Sequence, residues 1–249
     1  MYYIKHFNEK SGEYQCFRPG YPEQLFDYLA TLVNAEARVW DCGTGNGQAA
    51  LVLAKKFQCV FATDIHLKQL DVASQHHNVH YICCPAEKTP FLEHTMDLIT
   101  IAQALHWFNF DNFYDEVKRI AKPSSTIAAW CYSLGTVNAN LDPLIRKLYA
   151  DVLGDEYWPK ERRFIDEQYR TIPFPFKKMK APSFTIEKKM NFHLLIGYLN
   201  TWSAVKEYQN RTHTNPIELI YDELLARWGN PTLEFLMHWP VHLLIGQID

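Results

Sequence analysis

Glycine is scarce in this chain, with ten in 249 residues against about 7% in average usage. That scarcity makes one detail stand out: Gly43, Gly45 and Gly47 fall within five consecutive positions. Charge of either sign is also short of an excess. Twenty-five Lys and Arg against 28 Asp and Glu leave a net charge of −3, which offers no electrostatic case for a nucleic-acid partner. The short basic run Lys177, Lys178, Lys180 reads as a solvated loop. The six cysteines form no Cys-x-x-Cys pair, so a zinc site and a disulfide frame are both disfavoured and buried, reduced thiols are expected. No apolar run approaches the ~18 residues of a membrane span, and the N-terminus lacks the apolar core of a signal peptide. The expectation is a soluble, cytoplasmic protein without a membrane partner. Internal repeats and low-complexity tracts are absent too.

What is present is a hydrophobic, aromatic-rich chain: 47% hydrophobic, with 15 Phe, 14 Tyr and 7 Trp. Up to about residue 127 it alternates helical and strand patterns. Pro22 sits at a helix start, followed by an apolar face of Leu25, Phe26, Leu29, Leu32 and Val33. Short strands are expected at 38–41, 59–63, 79–84, 97–102 and 126–131, separated by helices at 47–57, 66–76 and 110–121. That rhythm implies a mostly parallel sheet with helices on both faces. Past Cys131 it breaks into a helix near 141–153 and an aromatic- and proline-rich stretch through Phe176, expected as an ordered insertion that covers something. A strand at 184–189, helices near 193–210 and 216–228 (the latter capped by Asn215-Pro216), and a final strand region at 234–247 complete the chain.

The glycines lie in Asp41-Cys42-Gly43-Thr44-Gly45-Asn46-Gly47, between a strand and a helix. Glycine there permits positive φ and lets a ligand approach the main chain. A dinucleotide fingerprint wants G-x-G-x-x-G, and here the third glycine comes one residue early. A phosphate loop would need Gly-Lys-Ser/Thr, which is missing. Asp41 would repel a pyrophosphate and suits a cation. The spacing thus favours a phosphate-free, cationic ligand over a nicotinamide dinucleotide.

The run Asp41-x-Gly43-x-Gly45-x-Gly47 resembles the first motif of class I S-adenosylmethionine-dependent methyltransferases. Asp64, ending the second strand with Ile65 beside it, matches the acidic position that meets the ribose hydroxyls. Pro85-Ala86-Glu87-Lys88-Thr89-Pro90-Phe91 is similar to the element flanking the adenine, and Asp97–Phe108 to the fourth-strand motif with Gln103 and Ala104 against the cofactor. Arg18-Pro19-Gly20-Tyr21-Pro22, Gln103–Phe108 and Thr201-Trp202-Ser203-Ala204 narrow the resemblance to the trans-aconitate-methyltransferase-like, type 11 subgroup, over roughly Tyr14 to Gly246. It implies a Rossmann-like seven-stranded sheet ordered 3-2-1-4-5-7-6 and one domain over 1–249. The cofactor half would span about 14–131, a lid about 136–182 and the C-terminal elements 183–249. Pro240 falls within the last strand, where a bulge is expected.

The resemblance implies S-adenosyl-L-methionine held by Tyr14, Arg18, Asp41, Gly43, Thr44, Gly45, Gly47, Asp64, Ile65, Ala86, Glu87, Gln103 and Ala104. Methyl transfer from a sulfonium is an in-line displacement that asks chiefly for alignment and exclusion of water. A base is needed only if the nucleophile must lose a proton. His106 is the candidate for that role, or else a residue that shapes the pocket. Trp107, Trp158, Arg162, Tyr169 and Trp202 are candidates for a small-molecule acceptor, with Phe174 and Phe176 as further wall, and no metal is expected. A monomer or weak homodimer is expected. The alternatives are a catalytically idle cofactor binder serving a protein partner and, less favoured, an NAD-dependent oxidoreductase.

Overall fold

The computed structural model describes residues 17–249; Tyr14 and Cys16 lie outside them. Its centre is one sheet in the order β3-β2-β1-β4-β5-β8-β6, with β7 also on β8. Strands β1 (Arg38–Cys42), β2 (Cys59–Asp64), β3 (Val79–Cys83), β4 (Met96–Ala102) and β5 (Ala121–Tyr132) are mutually parallel. Four of the five residues of β1 are buried, as are five of the seven of β4, the signature of strands covered on both faces.

The last strand, β8 (Phe235–Gln247), is long enough to serve two neighbours. Its C-terminal half pairs antiparallel with β5, and its N-terminal half with β7 (Phe184–Met190). A two-residue strand β6 (Lys177–Lys178) joins β8 at Gly246 and Gln247. The order 3-2-1-4-5-7-6 is therefore present, with β6 as an addition on the same edge.

The bulge expected at Pro240 does not form. Pro240 pairs with Thr185 in an unbroken register. Its carbonyl accepts from the Ser133 amide at 3.3 Å, just where the β5 ladder runs out, so the missing N–H faces a position with no ladder to complete.

Helices α1 (Glu23–Ala30), α2 (Gln48–Leu53), α3 (Leu67–Leu70) and α4 (Phe110–Ile120) connect the parallel strands. The α1 face Leu25, Phe26 and Leu29 is fully buried. Asn109 caps α4 by accepting from the Asn112 amide at 3.2 Å. The helix expected at 66–76 shrinks to α3, because Asn78 beyond it donates to the carbonyls of Ala54 and Phe57 and draws the chain toward α2.

The aromatic segment begins with α5 (Asp142–Arg146), passes through a π-helical turn (Lys147–Leu153) into α6 (Gly154–Tyr157), and reaches α7 (Arg162–Asp166). Its first part packs in one hydrophobic cluster, with Leu144, Leu148 and Leu153. Its later part, Ile165, Tyr169, Ile172 and Phe176, belongs to the cluster on the opposite face of the sheet. The segment thus straps the two cores together.

The single helix expected at 193–210 is two, α8 (Phe192–Asn200) and α9 (Ser203–Thr212). Thr201 turns its hydroxyl back to the Tyr198 carbonyl at 2.6 Å, and Trp202 is extended, at φ −67° and ψ 135°. Helix α10 (Glu218–Trp228) precedes β8. Cysteines 42, 59, 83, 84 and 131 are free thiols, and Cys83 is exposed, not buried as expected. Among the described residues, no helix is long and apolar enough to cross a membrane.

Candidate functional site

Chain order reverses between β1 and β4, which are neighbours in the sheet. Ligands of open α/β sheets bind at such a point, beyond the carboxyl ends of the strands. A cleft lies there, lined by segments following each strand: Gly43–Asn46 after β1, Thr63–His66 at β2, Cys84–Glu87 after β3 and Ala102–Ala104 after β4. Arg18, Tyr21, Tyr132, Thr201, Ser203 and Lys206 close it from the other side.

The three glycines all have positive φ, +67°, +58° and +85° for Gly43, Gly45 and Gly47, yet for different reasons. A Cβ on Gly43 would lie 2.6 Å from the Ala104 Cβ, and one on Gly47 would collide with the Tyr81 hydroxyl. Gly45 has nothing within 4 Å of that position; it opens on the cleft. Gly43 and Gly45 line it, whereas Gly47 does not. The loop is pinned to the end of β2 by two bonds, from the Thr44 amide to the Thr63 carbonyl at 2.9 Å and from the Gly45 amide to Asp64 Oδ2 at 2.8 Å.

Asp41 is not a lining residue, contrary to expectation. It is fully buried under the loop. Its Oδ2 accepts from the Thr44 hydroxyl at 2.6 Å and its Oδ1 from the Thr100 hydroxyl at 2.8 Å. Burial, offset in part by those two bonds, raises its pKa to about 6. The carboxylate therefore braces the turn from below; a charge at a strand end reads the same in sequence whether it faces ligand or protein.

Asp64 does line the cleft. Its Oδ1 accepts from the His66 amide at 2.8 Å and meets His66 Nδ1 at 3.0 Å. A carboxylate has about four acceptor positions, so capacity is left for a ligand hydroxyl. Ile65, Ala86, Glu87, Gln103 and Ala104 are lining residues as well. Glu87 is steadied by the Asn109 amide at 3.0 Å. Gln103, at φ +56°, carries a buried Oε1 with no hydrogen-bond partner among the described residues. An orphaned buried acceptor costs stability unless something arrives to donate to it.

Arg18 reaches the cleft with its guanidinium donating to the Tyr132 hydroxyl and the Thr201 carbonyl, both at 3.1 Å. The break between α8 and α9 is what frees that carbonyl.

His106, Trp107 and Arg162 line the cleft as well. The His106 ring is buried, and its Nδ1 is 2.8 Å from the Tyr169 hydroxyl. Burial first, then the charge of Arg162, pushes His106 down to about 3, so the imidazole is neutral at physiological pH. Arg162 lies over the rings of Trp158 and Tyr149, 4.6 and 5.1 Å from their centroids, and donates to the Tyr149 hydroxyl at 2.7 Å. Asp166 is 3.5 Å away.

Three expected acceptor residues are not in the wall. Trp158 and Trp202 pack on each other and on Tyr149, behind Arg162. Tyr169 stands behind His106, and Phe174 and Phe176 pack against Tyr114 in the core. Trp107 and Arg162 alone of the acceptor candidates face the cleft. Conversely, Ser203 and Lys206 are lining residues that sequence reasoning missed; their spacing of three, which puts them on one face of a helix, was the available signal. Among the described residues no group of three His, Cys, Asp or Glu side chains is placed to hold a metal.

The chain is similar to known methyltransferases. A family profile described as a methyltransferase domain matches residues 40–129. A Dictyostelium discoideum protein described as a methyltransferase is 30% identical over 97% of this chain and 94% of its own length. A Marinomonas malonyl-[acyl-carrier protein] O-methyltransferase is 26% identical over 74% of each chain. The solved structure of a type II methyltransferase from Anaeromyxobacter dehalogenans superimposes with a TM-score of 0.87 at 39% identity, over 93% of this chain and 98% of that one.

Proposed function

We propose, for a chain that belongs to the class I S-adenosylmethionine-dependent methyltransferases of the type 11 kind, that the methyl acceptor is a small acidic molecule seated between His106, Trp107 and Arg162. The observation that carries this reading is Arg162: a guanidinium held by two aromatic faces and a tyrosine hydroxyl, yet still lining the cleft. A pre-ordered planar cation suits a carboxylate. The name of the Marinomonas relative records O-methylation of a malonyl-[acyl-carrier protein].

The loops at the strand ends fit S-adenosyl-L-methionine. Gly45 leaves room for it, Asp64 has acceptor capacity for the ribose hydroxyls, and the lone Gln103 Oε1 awaits a donor of the kind an ammonium supplies. Ile65, Ala86, Glu87 and Ala104 flank the adenine in this reading, and Arg18 meets the carboxylate. When bound, the cofactor supplies an electrophilic methyl carbon on a sulfonium. The protein's part is to hold the acceptor in line with that carbon and keep water out. Arg162 orients the acid, and Trp107 limits its approach. A carboxylate needs no base, which agrees with a His106 whose pKa of about 3 makes it a weak proton acceptor.

The test is calorimetry with S-adenosylhomocysteine and NAD, followed by labelled methyl donor and a panel of small carboxylic acids, phenols and thiols. Binding of the first ligand alone and transfer to acids is the expected result. Transfer to phenols or thiols only would overturn the acidic-acceptor reading, and cofactor binding with no transfer to any class would favour an idle binder.

A further inference from the structure

Tyr169 is buried, its pKa is driven upward by that burial, and it does not touch the cleft. Its backbone is nonetheless costly: Gln168 and Tyr169 are consecutive non-glycine residues, both at φ +60°. Strain of this kind persists where surrounding contacts require it, and it gathers at functional sites. Here it delivers the hydroxyl to His106 Nδ1 at 2.8 Å. Among the described residues the other ring nitrogen, Nε2, has no hydrogen-bond partner, and it is not one of the sealed, unpartnered atoms. Since His106 lines the cleft, Nε2 is the atom that opens on it.

We infer that Tyr169 is a positioning residue that donates its hydroxyl proton to Nδ1 and so fixes His106 as the Nε2–H tautomer, giving the acceptor a hydrogen-bond donor and no base. The inference rests on reading this part of the cleft as the acceptor site. Two observations set the direction of the bond. The Tyr169 hydroxyl has no other hydrogen-bond partner among the described residues, which leaves its proton for the imidazole. A phenol is also a far stronger acid than a neutral imidazole N–H, and an imidazole nitrogen the better acceptor, so O–H to N is the favoured sense. The tautomer of a histidine is set in this way by the partner of its other nitrogen.

The groups acting on the pair do not favour an imidazolium. Arg162 on α7 repels it, and burial keeps the nearby thiol of Cys131 on β5 protonated. An Nε2–H donor then binds a non-reacting oxygen of the acceptor. Nucleophiles that arrive charged, such as carboxylates, are served; an alcohol or thiol that must be deprotonated is not.

The experiment is long-range proton–nitrogen correlation on histidine-labelled protein saturated with S-adenosylhomocysteine, from pH 5.5 to 8, with His106→Asn used to assign the signals. The expected result is a single tautomer, Nδ1 bare and Nε2 protonated, unchanged over that range. In Tyr169→Phe the two nitrogen shifts move toward an averaged, mixed tautomer while affinity for S-adenosylhomocysteine changes less than threefold. A wild-type ring protonated on Nδ1, a ring that titrates near pH 6.5, or an unaltered spectrum in Tyr169→Phe would each overturn the inference. The wild-type spectrum decides the tautomer even if the variant fails to fold. Methylation of phenols would sink the acceptor reading and leave the tautomer measurement standing, so the two fail separately.

Discussion

Single residues around the glycine loop divide into those that shape it and those left for a ligand, and the division is measurable. Gly47→Ala puts a methyl into Tyr81 in a positive-φ position, and a destabilisation of about 1–3 kcal/mol is expected in urea unfolding. Gly45→Ala keeps only the conformational part of that cost, since its Cβ meets nothing, and should instead weaken S-adenosylhomocysteine binding. Asp64→Ala removes the acceptor that anchors the Gly45 amide. With ~1.5–3 kcal/mol for a hydrogen bond to a charged group, affinity should fall about tenfold to a hundredfold by calorimetry; unchanged affinity would contradict the assignment.

Asp41 yields a pH prediction. Its folded-state pKa of about 6 lies above the ordinary 3.8, so the folded state binds this proton more tightly than the unfolded one. The linked stabilisation is fully present below about pH 4 and is lost as pH rises through 6, a change of order 3 kcal/mol. Asp41→Asn lacks the titration. The stability of the variant relative to wild type should therefore rise between pH 4 and 6 and level off above, as read from urea midpoints at each pH.

At the scale of elements, the strap formed by α5, α6 and α7 depends on rings contributed by distant segments. Trp202 sits between Tyr149, Trp158 and Tyr198. Trp202→Ala should cost about 3–5 kcal/mol, and hydrogen exchange should accelerate through 147–166 before it does in β4. This is also where the sequence was least legible. The parallel strands announce themselves locally, because Leu98, Ile99 and Ile101 are buried on both faces of one short run. The aromatic stretch announces only that it is buried. Trp158 and Trp202 meet across 44 positions of chain, and nothing nearby in sequence says that they back Arg162 and do not face the cleft. The same holds for α8 and α9: a continuous helical pattern conceals a break whose cause, Thr201 bonding backward while Arg18 takes its carbonyl, is tertiary.

For the whole molecule, the order of strands gathers the loops proposed for the cofactor at the carboxyl ends of the parallel strands, which is why these lining residues were readable from motifs while those proposed for the acceptor were not. Gly43, Ala86 and Gln103 each follow a strand and Asp64 ends one, so a spacing in sequence becomes a position in space. Ser203 and Lys206 come from the far end of the chain and share no such rule. The cleft joins both ends of the fold, so ligand occupancy should be felt globally. At a hundred times its dissociation constant, S-adenosylhomocysteine should add about 2.7 kcal/mol and raise the thermal midpoint by roughly 5–10 °C; NAD should leave it unmoved.

The tryptophans are distributed so as to separate two signals. Trp40, Trp130 and Trp239 are wholly sealed in the sheet, with the indole N–H of Trp40 on the Thr63 hydroxyl at 2.9 Å and that of Trp239 on the Tyr198 hydroxyl at 3.0 Å. Trp107 alone lines the cleft. The molecule therefore carries its own optical gauge: blue-shifted emission from the sealed indoles tracks the integrity of the sheet, and a change confined to Trp107, abolished in Trp107→Phe, counts arriving ligands without any label.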